Sequence, residues 1–288
     1  MGSEMCIRDR NGIWLNEAFA TFMATMCSDN FNSGWGRWNQ FSLERSMAFD
    51  VDSLVNTRPI EIEVNSPVDA EGMFALLTYE KGGAVLRMLE QFIGPERFRA
   101  GLYKYLSAHR YGNAQGDDLW QAMEEESQQP VIQMMNSWIQ QPGYPVLKAE
   151  VQRLSDGPQV LLSQQRFLYT GPKDDPALWQ LPVGLVSQGS EPATRSVMGE
   201  RNCSLRLSDA ASPEGVNWVK VKPGHTGFYR VQYDEGEWDR FIPAVESLEL
   251  ASRYGIVQLD DDGRVVSFLS LIHISEPTRP LYISYAVF

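Results

Sequence analysis

The sequence changes its pattern at Gln-Pro-Gly-Tyr-Pro, residues 141–145. Before this segment, apolar residues recur every three or four positions, which predicts amphipathic helices. After it, short runs rich in β-branched and aromatic residues alternate with Gly, Pro, Asp and Ser clusters, which predicts strands. Because proline and glycine end the last helix here, the chain must fold as a helical part followed by a β part.

This pattern predicts a multi-domain α + β protein. We expect mostly helical structure over residues 11–145, including one continuous helical stretch over 74–93. Residues 146–234 have the short, regularly spaced strands of a β-sandwich domain. Helical spacing returns after residue 235, so residues 235–268 are expected to begin a further helical domain.

Composition excludes several classes of partner. The chain has 288 residues, of which 43% are hydrophobic, enough to form one or two domains with buried cores. The net charge of −12 argues against nucleic acids and anionic membranes, which need a basic surface. No apolar run has the length of a membrane span. Three cysteines without regular spacing indicate neither a disulfide framework nor a cysteine zinc site.

One carboxylate interrupts the first helical segment. Glu17 is the only charged residue between Ile13 and Met26, and its neighbours include Trp14 and Phe19. An isolated carboxylate is costly to bury, so it must be neutralised, paired or bound to a metal. On the helix alone, an ion pair with a lysine or arginine from elsewhere is the more common explanation than a metal.

Two adjacent glycines, Gly82 and Gly83, follow Tyr79 on the same predicted helix. Each glycine in a helix interior costs about 0.8–1.0 kcal/mol relative to alanine. The glycines must therefore provide space for something. A substrate backbone beside the tyrosine ring and a closely packed neighbouring helix are both possible from the sequence alone.

Three segments together resemble the aminopeptidase N family, the gluzincin zinc metallo-aminopeptidases. WLNEAFATF (14–22) is similar to the family's third zinc-ligand segment, and LLTYEKGGAVLRML (76–89) is similar to its Tyr-Glu-Lys-Gly segment. MMNSWIQQPGYPVL (134–147) is similar to its junction between catalytic helices and sandwich. GFYRVQYD (227–234) also resembles the closing strand of the family's sandwich.

The resemblance implies a specific site. Residues 11–145 would be the C-terminal part of a thermolysin-like catalytic domain, in which Glu17 binds one Zn²⁺ ion and Tyr79 stabilises the transition state. The substrates would be peptides with a free N-terminus. The family's two histidine ligands and its general base belong to an H-E-x-x-H helix that precedes Glu17. Because this chain contains no H-E-x-x-H, we expect it to be an inactive fragment of the complete enzyme.

Two alternatives remain open at this point. The chain could belong to a non-catalytic relative that uses the same architecture for protein interaction. It could also belong to a related gluzincin that hydrolyses epoxides, although the sandwich favours the peptidase.

The two ends are expected to be foreign to the protein. Residues 1–10 and residues 269–288 can be encoded by opposite strands of one inverted sequence that resembles a transposase-end adapter. We therefore leave both out of the fold prediction. We expect a cytoplasmic location, although any targeting signal would lie outside the remaining segment.

Overall fold

The structure is a computed structural model, which describes residues 12–155, 157–171, 174–187, 193–207, 218–221, 226–241, 256–259 and 265–268. The chain divides into two compact units, Met1–Gly143 and Tyr144–Phe288. This boundary lies within the Gln-Pro-Gly-Tyr-Pro segment, as the change of pattern predicted. The ends assigned to an adapter, 1–10 and 269–288, lie outside the described residues.

The described part of the first unit consists of helices joined by loops. A short 3₁₀ turn follows the first helix, and a π-helix precedes the fourth. The helices are α1 (Ile13–Phe31), α2 (Arg37–Asp52), α3 (Pro67–Gly72), the π-helix (Leu77–Lys81), α4 (Gly82–Ile93), α5 (Pro95–Ala108), α6 (Gly116–Ser127) and α7 (Val131–Ile139).

Helix α4 lies at the centre of this unit. Nine of its twelve residues are buried, which is far more than an amphipathic surface helix would bury. Helix α1 packs against it through a stripe that includes Trp14, Ala18 and Phe22. In the part of the chain that the structure describes, no helix has both the length and the apolarity needed to span a membrane.

The helical stretch predicted over 74–93 differs in one respect. It begins at Leu77, and its first five residues form a π-helix instead of an α-helix. A π-helix contains one extra residue per turn and is found most often as a single turn at functional sites. The sequence does not indicate it, because a single turn of five residues is too short to show a period different from that of an α-helix.

The second unit contains two β-sheets. The larger sheet has strand order β5-β2-β1-β7-β8-β9, and the smaller has order β4-β3-β6. The strands are β1 (Pro145–Leu154), β2 (Gly157–Arg166), β3 (Leu181–Ser187), β4 (Ala193–Met198), β5 (Asn202–Arg206), β6 (Val219–Val221), β7 (Arg230–Tyr233), β8 (Ile256–Leu259) and β9 (Val265–Phe268).

Buried hydrogen bonds connect the two sheets. The Tyr229 hydroxyl donates to the carbonyl of Pro182 on β3 (3.1 Å), and the backbone N–H of Val221 on β6 donates to the Tyr233 hydroxyl (2.7 Å). Burial raises the pKa of both tyrosines above the ordinary value, so both stay protonated. The second unit therefore contains two connected sheets, and their assignment to a sandwich domain stays a prediction.

The helical domain expected over 235–268 is not what the structure shows at these positions. Among the residues of this range that the structure describes, α8 (Glu235–Phe241) is helical, and β8 and β9 form an antiparallel pair that extends the larger sheet. The β-branched residues in Ile256–Leu259 and Val265–Phe268 favour strands at these positions. Residues 242–255, where the helical spacing was read, lie outside the described residues.

Gln164 on β2 supplies a test of the β unit. Its buried side-chain amide accepts a hydrogen bond from the backbone N–H of Trp179 (3.0 Å). It also donates to the backbone carbonyls of Trp179 (3.0 Å) and Glu200 (3.0 Å). We expect Gln164→Leu to destabilise the β unit by about 2–3 kcal/mol in urea denaturation, because it leaves these backbone groups unsatisfied. The neighbouring Gln165 is exposed, so Gln165→Leu should change stability little; equal losses would contradict this role.

Candidate active site

The structure brings together the two residues that the sequence singled out. Glu17 extends from α1 and Tyr79 from the π-helix, and the Tyr79 hydroxyl donates a hydrogen bond to the Glu17 carboxylate. Both side chains are half-buried, so solvent or a ligand can reach them. A carboxylate and a phenol that are distant in the sequence therefore share one accessible site.

The position of Glu17 follows from the packing of α1. Trp14, one turn earlier, is buried, stacks on Trp120 (6.2 Å between ring centroids) and donates from its indole N–H to the Glu61 carboxylate (2.9 Å). Ala18 is fully buried against the core. Glu17 lies at the edge of this buried stripe, where its carboxylate keeps contact with solvent.

The ion pair that is the common explanation for such a carboxylate is absent here. Within the described part of the chain, no lysine or arginine forms an ion pair with Glu17, and its side-chain partner is Tyr79. Half-burial removes the need for a permanent cation, since water still solvates part of the carboxylate.

Of the two glycines after Tyr79, Gly82 is required by close helix packing, whereas Gly83 has ordinary contact with its neighbour. A Cβ atom on Gly82 would lie 2.6 Å from the Ala18 Cβ, and one on Gly83 would lie 3.4 Å from the Phe41 ring. The Gly82 backbone therefore packs directly against α1 at Ala18, the residue that follows Glu17. This contact brings the π-helix close enough for Tyr79 to reach the Glu17 carboxylate.

Tyr79 is suited to donate a hydrogen bond. Its pKa is raised above the ordinary value, first by partial burial and then by the hydrogen bond to Glu17 and the negative charge of that carboxylate. All three causes favour the protonated phenol. The hydroxyl therefore carries its proton at neutral pH.

Glu80, beside Tyr79, is a charged residue that the sequence analysis did not single out. One of its carboxylate oxygens is buried and has no hydrogen-bond partner. Burial, and secondly the negative charge of Glu44 on α2, raise the pKa of the Glu80 carboxyl to about 7. Only the packing of α2 against the π-helix creates this proximity, so no local pattern could have indicated it.

The sequence analysis also did not single out Lys81 and Asp52. They form an ion pair (2.9 Å) in which both side chains are fully buried. The sequence signal was weak, because Lys81 follows the charged Glu80 and does not stand alone in an apolar segment as Glu17 does.

Glu17 fits the role of one metal ligand, because carboxylate oxygen is a common ligand of Zn²⁺. A catalytic zinc site uses three protein ligands and keeps the fourth position for water or substrate. Among the residues that the structure describes, no group of three or more His, Cys, Asp or Glu side chains could hold a metal ion. Among the described residues, Glu17 is therefore a single candidate ligand and not a complete metal site.

Comparison with known proteins gives consistent matches. The family model described as Peptidase family M1 domain matches residues 1–138. This range includes residues 1–10, whose adapter origin stays a prediction.

Several curated proteins are similar over most of the chain. Aminopeptidase M1-A of Oryza sativa subsp. japonica is 36% identical over 271 residues, which cover 91% of this chain and 30% of that protein. Aminopeptidase M1 of Arabidopsis thaliana is 35% identical over 261 residues (86% and 29%). Tricorn protease-interacting factor F2 of Thermoplasma volcanium is 35% identical over 248 residues (86% and 29%). The chain spans about 30% of the length of the curated relatives it matches.

The contact at Gly82 generates the first prediction for this site. Alanine normally stabilises a helix interior by about 0.8–1.0 kcal/mol relative to glycine. At Gly82 the added methyl group meets Ala18, so we expect Gly82→Ala to destabilise the helical unit by about 1–3 kcal/mol in urea denaturation. Gly72, on α3, is the matched control, because a Cβ there meets nothing within 4 Å. Equal effects of Gly82→Ala and Gly72→Ala would rule out the close contact.

Glu80 generates a prediction about pH. Between about pH 4.5 and 7 the folded state holds a proton that the unfolded state has released, so stability falls as pH rises through this window. Glu80→Gln removes the titrating group. At pH 8 the variant should be more stable than the parent protein by on the order of 1 kcal/mol after solvent screening, and at pH 5 this difference should be smaller. Thermal unfolding of variant and parent at both pH values measures this difference in stability, and Glu71→Gln, at an exposed position, is the control. A difference between Glu80→Gln and the parent that does not change with pH would contradict the prediction.

Proposed function

The chain belongs to peptidase family M1, and we propose that it is part of a zinc-dependent aminopeptidase that removes N-terminal residues from peptides. The observation that carries this proposal is the packing of Gly82 against Ala18, which brings Tyr79 beside the Glu17 carboxylate that raises its pKa. It joins a potential metal ligand to a potential oxyanion donor at one accessible point. A purely structural carboxylate would need no such neighbour.

Glu17 would bind Zn²⁺ through its carboxylate. Its half-exposed position and the lack of an ion pair with any described residue leave the carboxylate available to a metal. The remaining ligands would be two histidines that precede Glu17 in the complete protein. Zinc, when bound in such a site, lowers the pKa of a bound water molecule and polarises the substrate carbonyl.

Tyr79 would donate a hydrogen bond to the oxygen of the scissile carbonyl as that oxygen gains negative charge. Its raised pKa keeps the proton on the phenol, so it acts as a donor throughout. The π-helix holds the hydroxyl beside the metal ligand before substrate arrives. Such preorganised donors typically contribute about 2.7–4 kcal/mol to lowering the barrier.

The substrate class follows from the relatives and the charge. Two of the similar proteins are named aminopeptidases, and this chain carries a net charge of −12. An acidic protein is compatible with a substrate whose α-amine is protonated. Recognition of that amine would restrict cleavage to the N-terminal residue.

The hydrogen bond also bears on the alternative of a non-catalytic relative. A protein that serves only interaction has no need to keep a half-buried carboxylate paired with a phenol, both accessible to a ligand. We therefore favour the peptidase over an interaction protein of the same architecture.

The 288-residue chain should itself be inactive. The described residues provide one ligand candidate, and the sequence contains no H-E-x-x-H. We expect no tight zinc binding by isothermal calorimetry and no hydrolysis of leucine p-nitroanilide by this chain. Zinc-dependent hydrolysis by the purified chain would refute this expectation.

In the complete protein, Tyr79→Phe should lower kcat about 10²–10³-fold with zinc content unchanged, because one oxyanion donor is lost. Glu17→Ala should remove both bound zinc and activity. Tyr103→Phe is the matched control, since Tyr103 is 73% exposed on α5. Full activity in Tyr79→Phe, or full zinc content in Glu17→Ala, would overturn the proposed function.

A further inference from the structure

A buried ion pair lies at the end of the π-helix that carries Tyr79. Lys81 is the last residue of that helix, and Asp52 is the last residue of α2. Their charged atoms are 2.9 Å apart, and both side chains have a relative exposure of 0%. Because desolvation offsets much of the attraction in such a pair, its presence is weak evidence for a stabilising role alone.

The pair is completed by one backbone peptide and one hydroxyl. Gly143 donates its N–H to an Asp52 carboxylate oxygen (3.1 Å) and accepts from the Lys81 ammonium at its carbonyl (2.9 Å). The Thr57 hydroxyl donates to the same carboxylate oxygen (2.8 Å). The end of the π-helix is thus held to α2 and to the segment that follows α7. We refer to Lys81, Asp52 and Gly143 as the clamp.

Tyr79 is fixed between two anchored residues. Thr78, just before it, is fully buried, and its hydroxyl accepts a hydrogen bond from the Arg58 guanidinium (3.1 Å). Lys81, two residues after Tyr79, is held by the clamp. The next residue, Gly82, lies against Ala18 on α1.

The π-helix needs such anchors because its geometry is rarely adopted. It inserts one extra residue into the helical turn. Relaxation to an α-helix would shift the register by one residue, which corresponds to a rotation of about 100° around the helix axis. Tyr79 would then point away from Glu17, and their hydrogen bond would be lost.

We propose that Lys81 and Asp52 are positioning residues that hold the π-helix in the register that directs the Tyr79 hydroxyl to Glu17. The inference rests on the proposed function where it concerns catalysis. Neither side chain can touch substrate, because both are fully buried. Both act on the reaction only through Tyr79.

The first experiment uses the 288-residue chain and measures structure alone. Hydrogen–deuterium exchange is followed by mass spectrometry on peptides covering 74–82, in the parent and in the double variant Asp52→Asn/Lys81→Met. The double variant avoids leaving one buried charge without its partner, which could prevent folding. We expect exchange over 77–81 to accelerate at least tenfold while α5 is unchanged.

A matched control comes from the β unit. Glu237, with 1% exposure, pairs with Arg153 (2.7 Å), so Glu237→Gln disrupts a comparable ion pair far along the chain from Tyr79. It should leave exchange over 77–81 unchanged. Unchanged exchange in Asp52→Asn/Lys81→Met, or equal acceleration in Glu237→Gln, would overturn the positioning role.

The second experiment uses the complete enzyme and separates positioning from simple loss of stability. Asp52→Asn/Lys81→Met should lower kcat per zinc-loaded molecule about 10–100-fold with little change in KM, since a misplacement of about 1 Å can reduce a rate about 100-fold. In a Tyr79→Phe background the same pair of substitutions should cause no further loss. An equal additional loss in that background would show that the clamp acts independently of Tyr79 and would refute the proposal.

The proposed function and the positioning role of the clamp can be disproved independently of each other. If the complete protein has no aminopeptidase activity, or if Tyr79→Phe leaves kcat intact, the proposed function fails. Hydrogen exchange in the 288-residue chain still decides, without any activity, whether the clamp holds the π-helix.

Discussion

The close contact between Gly82 and Ala18 is the constraint on which the site depends. Helices normally pack with their axes 8–10 Å apart, and the side chains between them set this distance. Here a Cβ on Gly82 would lie 2.6 Å from the Ala18 methyl group, so the α4 backbone can approach α1 only because Gly82 has no side chain. Glu17 and Tyr79 lie next to this contact, and their hydrogen bond follows from it.

Two charged helical residues have different roles in this unit. Glu17 is the only charged residue of its segment, whereas Lys81 follows the charged Glu80. Glu17 stays half-exposed at the edge of its buried stripe, so its carboxylate can take part in chemistry. Lys81 is fully buried and paired with Asp52, so it can act only on the position of its own helix. Burial, which depends on the whole fold, separates a reactive group from a supporting one.

Much of the fold could be predicted from the sequence. Periodicity indicated most helices of the first unit, and the alternating β-rich runs indicated the sheets, because both patterns reflect which face of an element is buried. The π-helix at Leu77–Lys81 and the strand pair β8–β9 were not predicted. A single π-turn of five residues is too short to show a period of its own, and a short strand becomes one only beside the sheet that accepts its backbone hydrogen bonds.

For the site, the sequence by itself determined the residue types. Glu17 stood out as a carboxylate in an apolar helix, which must be neutralised, paired or bound to a metal. The segment around Tyr79 stood out by its resemblance to a family and by its paired glycines. Only the tertiary structure decided that Tyr79 reaches Glu17, that Gly82 serves helix contact and that Glu80 lies near Glu44. These contacts are between residues on different helices. The sequence pattern indicates the face of an element on which a residue lies, but it does not indicate the distance to a residue on another element.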